Sequence, residues 1–374
     1  MLLGDFGANV IKIERPGVGD QSRGWGPPFI GSESAYFLAA NRNKQSVTLN
    51  YDHPRGLEAL HKLISASDVF ICNQPSLASL RKRGMDAETL SGKYPRLIYC
   101  SITGYGFSGP KAGRSGYDIL AQAEAGVMSF TGEPGGGPMR YPIAIADMTC
   151  GMYSAMGILA ALYAREKTAR GQFLDMALLD SQLTWLANVG SSYLNAKASP
   201  KRWGNAHPSI VPYEVFRGAD GSSFVLGVGT EALWKRFLRA MEIESSIGQD
   251  ERFRTNAQRT DNRAALIPIL QAKFDERPGS AWLALLASAE IPAAPINTVE
   301  QAVNDEQALA RSMIVQLEHP ALGMARSIGN PVKFSETPVS YRLPPPLLGE
   351  HTNEVLSRLG YSDEDLRDMS AATK

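Results

Sequence analysis

Phe6-Gly7-Ala8-Asn9-Val10-Ile11-Lys12-Ile13-Glu14 reads as the end of a helix, a glycine stop and a strand over residues 10–13 buried on both faces. Apolar runs of the same kind recur at residues 46–49, 69–72 and 96–101, with helical stretches at 54–65 and 77–90 between them. Strands alternating with helices predict βα units and an α/β domain with a mostly parallel sheet. A domain that opens inside a helix is expected to lack its first strand.

Further along, residues 104–116 are rich in Gly, Pro and Ser and predict a loop, followed by a helix over 117–130. A second glycine loop, 131–138, leads to a short strand at 143–146, a long apolar helix at 148–165, a strand at 174–177 and a helix at 181–194. The texture changes near Lys201. Residues 213–216 and 223–228 flank Arg217-Gly218-Ala219-Asp220-Gly221, a β-hairpin pattern, and helices are expected at 231–241, 261–274 and 280–288. From His319 the chain is proline-rich as far as Pro346, then helical at 353–359. The expected organisation is a large domain over 1–199, a smaller α+β domain over 200–318, and a segment 319–374 that returns to the large domain.

The 374 residues are 44% hydrophobic and 20% charged, an ordinary globular composition with room for two cores. Lys+Arg and Asp+Glu stand at 38 each, so no net field favours nucleic acid or an anionic membrane. Cys72, Cys100 and Cys150 are odd in number, far apart and in no CxxC pair, which argues against a disulfide framework or thiolate zinc site and for a reducing compartment. The longest uncharged run, 148–164, falls short of the ~20 residues of a membrane span. The start, Met1-Leu2-Leu3-Gly4-Asp5, has neither signal-peptide nor transit-peptide character. The expectation is a soluble intracellular protein without nucleic-acid or membrane partners.

Gly104-Tyr105-Gly106-Phe107-Ser108-Gly109 matches G-x-G-x-x-G after a strand, but no helix opens on the third glycine, so a tight loop is the better reading than a dinucleotide site. The five histidines show no metal-ligand spacing, and G-x-S-x-G does not occur. Arg81-Lys82-Arg83 reads as a solvated helix face or a phosphate contact. Asp147 stands where a strand gives way to the long apolar helix. Its plain reading is an N-cap. Its functional reading is a nucleophilic carboxylate kept ionised by helix-start amides, with Gly135, Gly136, Gly137 and Gly151 leaving room for a bulky substrate. Asp118, after Gly116-Tyr117, is a similar case.

Several of these stretches together resemble the class III CoA-transferase family, which includes formyl-CoA transferase, carnitine CoA-transferases and α-methylacyl-CoA racemase. They are residues 3–17, Asn41-Arg42-Asn43-Lys44-Gln45-Ser46, residues 101–110, Gly116-Tyr117-Asp118, Ala146-Asp147, residues 160–165 with Thr168 and Gly171, and residues 347–352. The resemblance implies an interlocked-ring homodimer with a Rossmann-like large domain that binds CoA. It implies that Asp147 is catalytic, that Arg15, Leu49, Asn73 and Tyr105 contact CoA, and that Tyr117, Asp118, Gly135, Gly136, Arg202, Asn205 and His207 meet substrate. Residues 23–28 and 201–213 are most similar to members that exchange CoA between succinyl-CoA and glutarate. The implied reaction moves CoA from succinyl-CoA to a small dicarboxylate (glutarate, itaconate or similar) through an aspartyl anhydride and an aspartyl-CoA thioester. The partners are acyl-CoA and carboxylic-acid substrates, with no metal and no permanently bound cofactor. A mitochondrial location follows by resemblance, with the cytosol as the alternative.

Three departures accompany the resemblance. The family's first strand and the loop after it are missing, so a truncated chain is expected. The family's Glu-Asn-Phe-x-Pro-Gly reads Cys72-Asn73-Gln74-Pro75-Ser76-Leu77, and Thr168-Ala169-Arg170-Gly171 replaces Thr-Gly-Arg-Gly. Two rival functions are a 2-methylacyl-CoA racemase, for which Tyr117 stands where a histidine acid/base is needed, and an inactive CoA-binding remnant.

Overall fold

The computed structural model describes residues 1–366, which divide into two compact units: Met1–Ala125, Pro142–Leu186 and the chain from Val303 onward form one, Gly126–Tyr141 and Ala187–Ala302 the other. In the first unit, α1 (Leu2–Asp5) leads to β1 (Val10–Glu14), then to the two-residue antiparallel pair β2 (Phe29–Ile30) and β3 (Glu33–Ser34). Ser34 accepts the Tyr36 and Phe37 amides and so starts α2 (Ala35–Ala40). Next come β4 (Lys44–Thr48), α3 (Pro54–Ser65), β5 (Val69–Cys72), α4 (Leu77–Lys82), α5 (Ala87–Lys93), β6 (Ile98–Thr103) and α6 (Asp118–Glu124). After α7 (Val127–Phe130) of the second unit, the first unit resumes with α8 (Ile145–Thr168), β7 (Phe173–Ala177) and α9 (Leu178–Leu183).

Two sheets of this unit are parallel, as the βα alternation predicts: β1 pairs with β4, and β5, β6 and β7 pair in that order. Among the described residues β1 and β5 each have one strand neighbour, and β1 is half-buried along most of its length, where the sequence predicted burial on both faces. In α3, Gly56, Ala59, Leu60, Leu63 and Ile64 recur at the helical period and face a core shared with Val47, Leu90, Leu97 and Tyr99. Two predicted helices are broken by glycine. Gly84 (φ +63°) separates α4 from α5, and Gly126 (φ +86°) ends the helix expected to reach residue 130.

The strand expected at 143–146 is instead the beginning of α8, which starts at Ile145. A four-residue apolar run cannot distinguish strand from helix. By length and composition α8 could cross a membrane. It lies against β6, β7 and α9, with Ala146, Cys150, Ile158 and Ala161 fully covered.

In the second unit, α10 (Ala187–Ala196) precedes the predicted hairpin, β8 (Tyr213–Arg217) and β9 (Ser223–Gly227). Helices α11 (Glu231–Ala240), α12 (Asn256–Asp261), α13 (Arg263–Phe274) and α14 (Gly279–Ser288) follow. A strand absent from the sequence reading, β10 (Ala293–Pro295), completes an antiparallel sheet in the order β10-β9-β8. Phe216, Phe224, Phe237, Phe274 and Trp282 form the aromatic centre, and the Trp282 indole N–H donates to the Phe274 carbonyl at 2.8 Å.

α15 (Val299–Val303) leads back to the first unit, which adds α16 (Glu306–Ala310), the hairpin β11 (Ile314–His319) and β12 (Gly323–Ile328), and α17 (Thr352–Arg358). The smaller unit thus includes residues 126–141 and ends at Ala302, where the sequence suggested 200–318.

Two buried polar clusters fasten the first unit. Asp5, 0% exposed, accepts from Arg42 (Nη2, 2.7 Å; Nε, 3.0 Å), Asn43 and Asn330, and Arg42 also donates to the Ile328 carbonyl. Glu14 accepts from Arg23 (Nε and Nη2, both 2.7 Å), from the Ser46 hydroxyl at 2.6 Å and from the Asp20 amide. Burial works against ionising Glu14, yet these partners hold its carboxyl below the ordinary range.

Candidate active site

The chain leaving β6 is bent by a close approach of two glycines. A Cβ on Gly104 would stand 2.5 Å from the Cα of Gly116. This contact accounts for the glycine-rich loop and brings Tyr117 to the position that caps α6. Asp118, the first residue of α6, turns its carboxylate toward another helix. Its Oδ1 accepts the Ala146 amide at 2.7 Å, and its Oδ2 accepts the Gln122 side-chain amide at 2.6 Å.

The position of Asp147 differs from its N-cap reading. Ala144 is the N-cap of α8 and offers no side-chain cap, while Asp147 lies within the first helical turn. Asp118 supplies the missing acceptor from α6. The Asp147 side chain reaches the surface, but its surroundings withhold enough water to push the carboxyl up to about 6, and the charge of Asp118 adds to the push. This is opposite in direction to the expectation that helix-start amides would favour ionisation.

Tyr36, on α2, is a candidate site residue absent from the sequence reading. Its phenol is pushed up by burial and then by the charges of Asp147 and Asp118, which places it in their electrostatic neighbourhood. Its ring packs edge-on against Trp25, centroids 4.8 Å apart, and both rings remain about half exposed. The available signal was Ser34, an N-cap residue type, just before the aromatic run Tyr36-Phe37. One turn beyond Asp147, Cys150 is fully buried and its thiol is pushed up by that burial; Cys100, also fully buried, is pushed up to about 11. All three cysteines are free.

Arg15, Leu49, Asn73 and Tyr105 follow the C-terminal ends of four different parallel strands, β1, β4, β5 and β6, the end at which open α/β sheets bind ligands. Arg15 and Asn73 are exposed. Leu49 is 3% exposed, so it can offer a ligand only main-chain groups, and the Tyr105 hydroxyl donates to Glu124 at 3.1 Å. A cavity of about 450 Å³ beside Arg15 is lined by Pro16, Gly17, Leu49, Asn50 and His53, among others. Of the basic run at 81–83, Arg83 is paired with Asp52.

A family model described as CoA-transferase family III matches residues 1–352. The chain belongs to CoA-transferase family III. It is 39% identical to the human succinyl-CoA:glutarate CoA-transferase over 373 residues, covering 100% of this chain and 84% of the human protein. It is 40% identical to the succinate–glutarate CoA-transferase of Agrobacterium fabrum, covering 96% of this chain and 90% of that one. A crystal structure of a CAIB/BAIF family protein from Brucella suis superposes with a TM-score of 0.83 at 39% identity, covering 96% and 93% of the two chains. The protein is therefore a transferase, and its relatives support CoA transfer as the reaction type.

The remaining expected residues of this CoA-transferase lie in its second unit. Arg202 donates from Nη1 to the Gly136 carbonyl at 2.7 Å, and the Gly204 amide donates to Gly132 at 3.1 Å, lacing the 201–205 segment onto the glycine loop. Gly135 holds a left-handed φ of +77° in that loop. Asn205 is exposed. His207 accepts the Ser209 amide at Nδ1, and its ring packs on Tyr213.

The raised Asp147 carboxyl makes a signed prediction. Its value is about 6 in the folded chain against 3.8 in the reference state, so the native state binds the extra proton. The associated stability is complete below pH 3.8 and is lost as pH rises through 6. Asp147→Asn should therefore melt at or above wild type at pH 8, by no more than about 4 °C, and the gap should close below pH 4. A wild type that gains on the variant as pH rises from 4 to 6 would contradict this.

Proposed function

We propose that this CoA-transferase moves CoA from succinyl-CoA to a small dicarboxylate, glutarate or a related C5 acid such as itaconate, with Asp147 as nucleophile. The observation that carries the reading is the Asp147 carboxylate itself: surface-reaching, in the first turn of α8, and more basic than an ordinary carboxylate. A carboxyl near 6 is mostly ionised at neutral pH and is a better nucleophile than one near 4. The names of the human and Agrobacterium relatives supply the donor and acceptor classes.

In this scheme Asp147 attacks the thioester carbonyl and expels CoA thiolate, leaving a mixed anhydride with succinate. The thiolate attacks the aspartyl carbonyl of that anhydride, releasing succinate and forming an aspartyl-CoA thioester. The acceptor carboxylate attacks the same carbonyl and expels the thiolate again, and the thiolate then takes the new acyl group and frees Asp147. Each step exchanges one acyl bond for another, with no net proton transfer and no redox change. Main-chain groups after β1, β4, β5 and β6, together with Arg15, Asn73 and Tyr105, are the candidates for holding CoA. Tyr117 and Asp118 are the candidates beside the carbonyl. Gly135, Gly136, Arg202, Asn205 and His207 remain the substrate-binding candidates of the second unit.

Incubation with succinyl-CoA followed by hydroxylamine should convert Asp147 to a hydroxamate, seen as a peptide mass shift, and Asp147→Asn should lose at least about 10³-fold in kcat. Label at Asp118, or an active Asn variant, would refute the nucleophile. With succinyl-CoA as donor, glutarate should outrun butyrate about tenfold or more, the worth of one charge-assisted hydrogen bond. Equal rates would remove the dicarboxylate assignment.

The same reading includes an intertwined homodimer. Along α8, Met148, Met152, Met156, Leu159 and Tyr163 form an apolar stripe at helical spacing, each between 43% and 67% exposed. A second copy of the chain is the proposed cover. Sedimentation should give a dimer at every concentration at which the protein remains folded; a folded monomer would remove this part of the reading.

A further inference from the structure

We propose that Gln122 is a positioning residue for the transfer reaction, acting through Asp118 to fix the first turn of α8 and with it the Asp147 carboxylate. The inference rests on the reading of Asp147 as the nucleophile. Gln122 is 0% exposed, one turn beyond Asp118 on α6, so it cannot touch substrate. What it reaches is Asp118, donating from Nε2 to Oδ2 at 2.6 Å and leaving Oδ1 directed at the Ala146 amide.

Three features make this arrangement a means of positioning. The first turn of α8 lacks a side-chain cap of its own, so the Asp118 carboxylate is a fixed acceptor for one of its orphan amides. Ala146 immediately precedes Asp147, so a change in that peptide moves the attacking oxygen. The surroundings are close-packed: Ala121, Ala146, Cys150 and Leu178 form one buried apolar cluster joining α6, α8 and α9. Asp118 itself is only half-buried and, without the Gln122 donor, is free to rotate toward water. A misplacement of about 1 Å at a reacting group can cost on the order of a hundredfold in rate.

The charge of Asp118 is held in place by the same contact. The titratable groups around Asp147 are Asp118 on α6, Tyr36 on α2 and Cys150 on α8 itself. Moving Asp118 therefore changes the electrostatic surroundings of Asp147 as well as its geometry.

The test uses Gln122→Met and Gln122→Glu in the whole chain. Gln122→Met removes the donor at similar volume. It should lower kcat about ten- to a hundredfold, leave KM for succinyl-CoA within about threefold, and shift the acidic limb of the pH profile. In an Asp118→Ala background the same change should cost less than about threefold, because the acceptor is already gone. Gln122→Glu supplies a donor only when protonated, so its rate relative to wild type should be highest in acid and fall as pH rises, a pattern that a purely space-filling role cannot produce. Hydrogen exchange at the Ala146 amide, read by mass spectrometry, should quicken about tenfold in Gln122→Met whatever the nucleophile is.

A wild-type kcat in Gln122→Met overturns the proposal, as does a loss that is unchanged in the Asp118→Ala background or a Gln122→Glu variant whose relative rate is flat with pH. If Gln122→Met does not fold, the pH dependence of Gln122→Glu decides. Asp147→Asn, assayed alongside, separates the two readings. An active Asn variant defeats the nucleophile assignment while the exchange data still report the Gln122–Asp118 contact. An inactive Asn variant beside a fully active Gln122→Met defeats only the positioning role.

Discussion

The hydrogen bond from the Ala146 amide to the Asp118 carboxylate is the constraint on which the candidate site depends. Helix α8 begins without a cap of its own, and an acceptor is brought to it from α6. Two carboxylates therefore come into one neighbourhood: one holds a helix terminus, and the other is left without a hydrogen bond from that terminus. Loss of water around Asp147, and then the charge of Asp118, disfavour its ionised form, and that cost is what separates this carboxyl from an ordinary surface aspartate. It requires that α6 start in a defined place, which the glycine–glycine contact after β6 provides.

Around this point the first unit is held by buried charges with satisfied partners. Asp5 gathers the adjacent Arg42 and Asn43 and the distant Asn330, and Glu14 gathers Arg23, Ser46 and the Asp20 amide. Removing one member of such a group would leave an uncompensated buried charge, which is costly, so each group fixes where its segments lie. Glu14 and Arg23 anchor the chain just before Trp25, and the Arg23 guanidinium stacks 3.7 Å above the Phe37 ring. The aromatic pair Trp25–Tyr36 is thus held from both of its ends.

Much of this was legible in the sequence where local pattern and tertiary fold agree. The strand at Val10–Glu14, the helix Pro54–Ser65 and the hairpin around Asp220-Gly221 have runs and turns that admit one reading. Errors arose where a single residue or a distant partner decides the outcome. Gly84 and Gly126 adopt left-handed conformations that interrupt otherwise continuous helical patterns. Residues 143–146 are too short a run to reveal their period. Asp147 looks like an N-cap because the real acceptor at this helix start, Asp118, lies 28 residues before the Ala146 amide it receives. Family likeness is what singled it out as the proposed nucleophile, while its raised proton affinity emerges only from the packed structure. The run Asn41-Arg42-Asn43 was noticed as a motif, and the structure supplies a physical role for it in the Asp5 cluster.

The burial of the cysteines bears on chemical selectivity. A protein that handles thioesters must keep its own sulfur atoms from competing for the acyl group, since thiolates attack such carbonyls far more readily than carboxylates do. Cys150 lies one turn from Asp147 on the same helix, yet it is sealed beneath the α6–α8–α9 junction and held in its protonated form by that burial. Cys100 is protected in the same way in β6. The packing that leaves Asp147 at the surface thus keeps these thiols out of reach, so that in the proposed mechanism oxygen is the accessible nucleophile and S-acylation of the protein is avoided.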